Sequence, residues 1–121
     1  MPIFHIARRA DWDAALQAGT YKISTLDRTL DEVGFMHCSF KHQVIQVADF
    51  VFKEAEDLVV LEIEPSLLEA EVRVENLHGG EEEFPHIYGP VSVQSVVRVH
   101  ELKRSVERSF QLPPTMNATN T

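Results

Sequence analysis

The run Phe35-Met36-His37-Cys38-Ser39 followed by Phe40-Lys41-His42-Gln43-Val44-Ile45-Gln46-Val47-Ala48-Asp49-Phe50-Val51-Phe52-Lys53-Glu54 decides the fold class. From Lys41 to about Glu54, Val44, Val47, Ala48, Val51 and Phe52 fall on one helical face. Lys41, Gln43, Gln46, Asp49 and Lys53 fall on the other, so the spacing predicts an amphipathic helix packed on a sheet. Phe35–Cys38, entered from Gly34, reads as a short strand, and Ser39 stands where a helix cap belongs.

Upstream, Ile3–Ala7 reads as a first strand, apolar except for His5. Asp11 is the expected cap of a helix with Trp12, Ala15 and Leu16 on its apolar stripe, ended by Gly19. Tyr21–Val33 has no clear period and reads as a long connection with one short strand at most. Downstream, Leu58–Glu64 is a central strand by its β-branched and apolar content. Pro65-Ser66 breaks it, and Glu71–Glu75 alternates as a half-buried strand. Asn76–Glu83 is an acidic loop, Phe84–Pro90 an ordered turn, and Val96–Leu102 the last strand. The composition predicts one α+β domain over residues 1–104 and a polar, disordered tail over 105–121.

Eleven basic against 19 acidic side chains give a formal charge of −8, which repels a polyanion and argues against nucleic acid as a partner. A small phosphate-bearing ligand needs only a local positive spot, and Arg8, Arg9, Lys22 and Arg28 cluster in the N-terminal quarter. No apolar run reaches membrane-spanning length, and Met1–His5 lacks the basic start of a signal peptide. With one cysteine, Cys38, these features predict a cytoplasmic protein with no membrane partner. The oligomeric state is not legible.

Three places could carry chemistry. His5 is either a core histidine satisfied by a backbone carbonyl or a ring nitrogen offered to a ligand. His37 lies at a strand-to-helix junction, where unpaired N–H groups suit an anion. Ser39 beside it is a cap or a ligand contact, and Cys38 alternates to the opposite face, buried and inert. Phe84-Pro85-His86-Ile87-Tyr88-Gly89-Pro90 holds His86 and Tyr88 on a stiff backbone, as a site or as a structural turn. His42 and His100 read as exposed, and His78 as a loop residue. No phosphate-binding Gly-Lys-Ser/Thr loop, Gly-x-Ser-x-Gly elbow or His-Glu-x-x-His occurs.

The segments Phe4-His5-Ile6, Trp12, Ala18-Gly19, Gly34–Ser39 and Phe84–Pro90 together resemble an uncharacterised bacterial family known as domain of unknown function nine-five-two, over roughly Ile3 to Leu102. That family is grouped by similarity with the ADP-ribosyltransferase-like superfamily, nearest the RNA 2′-phosphotransferases. The resemblance implies two small, mostly antiparallel sheets packed with two main helices, and NAD in the cleft between the sheets. It implies that His5 holds the nicotinamide-side ribose or carboxamide of NAD and that His37 lies further along the cleft wall. On that hypothesis Ser39 contacts ribose or phosphate with His37, and Tyr88 stacks on or closes over the ligand. His5, His37 and His86 then carry any ADP-ribose transfer or hydrolysis, His86 as proton carrier because a free imidazole titrates near neutrality. After its first histidine the superfamily has Gly and Thr where this chain has Ile6 and Ala7, and no catalytic glutamate carries over. Two alternatives stand beside it: a non-catalytic module for a small metabolite or a partner, and a hydrolase with a metal on His5, His37 and His86.

Overall fold

The computed structural model describes residues 1–77, 79–105 and 109–117. His78 lies outside them. Its centre is β6 (Leu58–Ile63), Leu-Val-Val-Leu-Glu-Ile, buried at every position because both faces of its sheet are covered. It pairs antiparallel with β1 (Ile3–Arg8) on one side and β10 (Val96–Arg104) on the other. β11 (Phe110–Gln111) adds to the far end of β10, giving the order β1-β6-β10-β11.

Side-chain alternation splits β6 between two cores. Val59, Leu61 and Ile63 join Ile3, Ala7, Trp12, Ala15, Tyr21, Met36 and Ile87. That core lies under α1 (Arg9–Ala18) and a three-stranded sheet of β5 (Met36–His37), β8 (Phe84–Tyr88) and β7 (Glu71–Glu75). Leu58 and Val60 join Phe4, Ile6, Val44, Ala48, Phe52 and Leu102 beneath α3 (Val44–Val51). Two ribbons complete the described topology: β2 (Thr20–Tyr21) with β9 (Val91–Ser92), and β3 (Ile23–Thr25) with β4 (Arg28–Thr29). The short helix α2 (Leu30–Val33) follows β4. All these pairings are antiparallel, so the chain is α+β as expected. No helix among the described residues is long and apolar enough to cross a membrane.

Several expectations are corrected. α1 starts at Arg9, and Asp11 sits in its first turn, where a carboxylate favours the helix dipole, rather than capping it. Gly19 does end the helix, at φ 88, its N–H bonded to the Ala15 carbonyl. Leu16 is exposed. Ser39 caps nothing: a 3-10 turn over Lys41–Gln43 precedes α3, and the Gln43 side chain reaches back to the Phe40 N–H. Gln43 is therefore buried, not on the polar face.

Phe84–Tyr88 is the middle strand of its sheet rather than a turn. Pro85 is tolerated there because it lies beyond the end of β5, where only its carbonyl is used, accepting from Cys38 N–H at 3.1 Å. Gly89 follows as the chain passes Ala70: a Cβ at this position would stand 2.7 Å from the Ala70 Cβ. Gly89→Ala is expected to destabilise by about 1–3 kcal/mol through overpacking. Thermal melting checks this, and Ala70→Gly in the same chain should recover part of the loss.

The tail is also corrected for its described part. Phe110 and Met116 are buried in the α3-side core, and α4 (Pro114–Asn117) covers β10. Asp49 accepts from the Phe110 N–H at 2.9 Å. The Arg104 guanidinium donates to the carbonyls of Lys53 and Ala55 and lies 4.0 Å over the Phe110 ring. Residues 106–108 and 118–121 lie outside the described residues.

Beneath α4 is His100, expected on the surface but buried. Its Nε2 is 2.8 Å from Glu62 Oε1 and its Nδ1 is 2.6 Å from Thr115 Oγ.

Candidate functional site

β1 is the outer strand of the main sheet, and its free edge is only partly occupied. Phe4 exchanges both backbone hydrogen bonds with Ser39, at 2.8 and 2.7 Å. Two residues on, the Ile6 amide and carbonyl face the same way, because backbone groups repeat every second residue along an antiparallel edge. There the edge opens into a cleft of about 780 Å3. Ile6, Cys38 and Ser39 form its floor. Ser24, Thr25, Arg28 and Val33 come from the β3–β4 hairpin and α2, and His37 and Phe84 close one end. Gln46, Val47, Phe50, Val51 and Phe52 of α3 complete the walls.

Two features distinguish these walls. Phe50 is 87% exposed, a large apolar ring held on the rim of a concavity rather than in a core. Arg28 has no ion pair among the described residues, although Arg8 is bound to Asp27, Arg9 to Asp57 and Glu101, and Arg73 to Glu71. Of the positive cluster read from the sequence, Arg28 alone lines the cleft.

His5 lies at the back of this region with both ring nitrogens engaged. Nδ1 is 2.5 Å from the His37 carbonyl oxygen, which can only accept, so Nδ1 carries the proton. Nε2 then accepts from the Tyr21 hydroxyl at 3.1 Å. Burial lowers the His5 pKa from 6.5 to about 4, against the opposing pull of the His37 and Ile23 carbonyls. Burial likewise pushes the Tyr21 hydroxyl and the Cys38 thiol well above their usual ranges, so Cys38 stays a thiol. His5 is thus the core histidine of the first reading, extended by a tyrosine, and it fixes the backbone that carries His37.

His37 and His86 are direct partners across β5 and β8, their ring centroids 5.9 Å apart. His86 and Tyr88 share the sheet face that points away from Ile87 and the core. There Phe35 packs against His37, His86 and Tyr88 at centroid distances of 4.9, 4.9 and 5.6 Å. The Tyr88 hydroxyl donates to Glu75 at 2.6 Å, Arg73 sits 4.4 Å over its ring, and His86 Nδ1 is 3.9 Å from the same Glu75 oxygen. The structure therefore brings His37, His86 and Tyr88 together on one face, and His5, His37 and Ser39 together at the cleft. His86 and Tyr88 are not among the residues lining the cleft. Among the described residues no three His, Cys, Asp or Glu side chains are placed to share a metal ion. With both nitrogens taken, His5 is a poor ligand for the three-histidine site.

Sequence reasoning passed over Ser24, Thr25, Val33 and Phe50 as cleft residues and held Phe84 only as part of the Phe84–Pro90 segment. Phe50 alone carried a signal: it falls outside the apolar face of its helix, where a phenylalanine has no core to fill.

These elements define a small α+β domain of antiparallel sheets with a ligand-sized cleft at the open edge of its outer strand. Similar structures are known for the protein CC0527 of Caulobacter crescentus. Its crystal structure is 32% identical over 93% of this chain and 95% of that one, with a TM-score of 0.79. Its solution structure is 29% identical over 98% and 96%, with a TM-score of 0.75. No curated protein matches. The chain belongs to the family described as protein of unknown function (DUF952), which matches residues 6–99.

Proposed function

We propose that the chain is a small-molecule-binding protein whose ligand combines a flat apolar ring with an anionic group and lies in the β1-edge cleft. The observation that carries this is the pairing of Arg28, which makes no ion pair among the described residues and has Glu32 as a more distant charged neighbour, with the exposed Phe50 ring on one concave site. The cleft volume falls in the range of small-molecule sites, and mostly apolar walls with a few polar groups are their usual make-up. A nucleotide meets these terms, and NAD is the first to test. Arg28 would pair with phosphate, Phe50 and Phe84 would pack on a ring, and the Ile6 backbone would pair with an amide.

The same residues fit binding better than NAD cleavage. No Asp or Glu is among the cleft-lining residues, and His5 spends both nitrogens inside the fold. On this reading the chain binds its ligand without transferring ADP-ribose.

Titration of NAD and AMP by calorimetry tests the reading. Saturable binding is expected, weakened about ten- to a hundredfold in Arg28→Ala, since a hydrogen bond to a charged group contributes about 1.5–3 kcal/mol. Arg28 is exposed, so the variant should fold normally. Equal affinity in wild type and Arg28→Ala would overturn the assignment.

A further inference from the structure

At the opposite edge of the main sheet, α4 lies over β10 and sets three side chains in line. Thr115 Oγ is 2.6 Å from His100 Nδ1, and His100 Nε2 is 2.8 Å from Glu62 Oε1. A carboxylate only accepts, so Nε2 carries the ring proton and Nδ1 is left to accept from the Thr115 hydroxyl. The order is hydroxyl, imidazole, carboxylate, at the distances that define an activated nucleophile and its oriented base. His100 and Glu62 are buried, whereas Thr115 is exposed, so only the hydroxyl end meets solvent. Pro113 and Pro114 fix the backbone before Thr115 and hold that hydroxyl in place.

The hydroxyl opens on a second hollow of about 460 Å3, separate from the β1-edge cleft. Val99, Leu112, Pro113 and Pro114 give it an apolar side, and Lys103 and Gln111 supply donors on its rim.

We propose that Thr115, His100 and Glu62 form an acyl-transfer site that hydrolyses esters of small apolar acids. His100 Nδ1 takes the Thr115 proton as Oγ attacks the ester carbonyl carbon. The rim donors of Lys103, which stands 3.8 Å from Glu101 in the same lining, and of Gln111 are available to the developing oxyanion. The carbonyl–alkoxide bond then breaks, and the His100 proton leaves with the alcohol. Water attacks the acyl-threonine with His100 again accepting its proton. The carboxylic acid departs, and the proton returns to Thr115 Oγ. Glu62 is a positioning residue that holds the imidazole in the required tautomer.

The full chain is incubated with p-nitrophenyl acetate, following p-nitrophenol release above the buffer rate and mapping the acyl adduct by peptide mass spectrometry. The expected result is an acetyl group on Thr115 and turnover that falls about a hundredfold or more in Thr115→Ala. Thr115→Ser should restore turnover, because it keeps the hydroxyl, and circular dichroism checks that both variants fold. Glu62→Gln should keep the adduct on residue 115 while lowering the rate and moving the pH–rate profile. An unaccelerated reaction, an adduct confined to lysines, or a Thr115→Ala protein as fast as wild type would each overturn the proposal.

Discussion

Replacing His100 by alanine is expected to destabilise the fold by about 3–5 kcal/mol, because it strips a buried carboxylate of its imidazole donor. Glu62 is only 5% exposed at the side chain and alternates onto the Leu58 and Val60 face of the central strand. His100 also holds Thr115, so its loss should free α4 from β10. The double change Glu62→Leu with His100→Leu is the informative partner. Removing both polar ends leaves no uncompensated charge, and its cost should be far smaller than that of His100→Ala. Urea denaturation of the variants at neutral pH separates the two cases. A His100→Ala loss under 1 kcal/mol would mean that Glu62 and His100 do not support each other.

The second large effect is a loss of stability in acid caused by His5. Burial places its folded pKa at about 4 against 6.5 when unfolded, so the folded state disfavours the extra proton. The contribution of the neutral ring is fully present above pH 6.5 and disappears as the pH falls towards 4. Between pH 7.5 and 4.5 this group alone should remove about 2.5 kcal/mol. Asp27, Glu32, Glu64, Glu71 and Glu82 have lowered pKa values from exposed hydrogen bonds, and their loss runs in the same direction. Comparison with His5→Asn removes them, because both proteins share those carboxylates. Denaturation midpoints should converge as the pH falls, and parallel pH dependence in the two proteins would refute the assignment. The same buried pair makes His5→Ala a poor probe of ligand binding, since the variant changes the fold before it changes the site.

How far the sequence was legible follows from which signals are local. The helix over Val44–Val51 and the strand over Leu58–Ile63 show in their periodicity, because each covers enough turns or residues to repeat. The β3–β4 hairpin does not: its strands span three and two residues, and the turn uses Leu26 at φ 49 where glycine or asparagine would give the signal. Phe84–Tyr88 was hidden by Pro85, which is acceptable only because β5 ends one residue short of pairing with it. His100 was misplaced by a register shift between Val96 and Arg98, which turns Val97 and Val99 outward and His100 and Leu102 inward. The tail reads as polar because Phe110 and Met116, its core contacts, are isolated among Ser, Pro, Asn and Thr. The candidate histidines were visible as residue types, but the cleft was not. It is assembled from a strand edge, a hairpin and a helix rim that are brought together only by the fold.

The most direct test of the binding proposal is a map of amide chemical shifts during NAD titration of the isotope-labelled chain. Saturable shifts at Ile6, Ser24, Thr25, Arg28, Ser39 and Phe50 are the predicted result. Shifts confined to the Phe35, His86 and Tyr88 face, or none at millimolar ligand, would contradict a nucleotide site at the β1 edge.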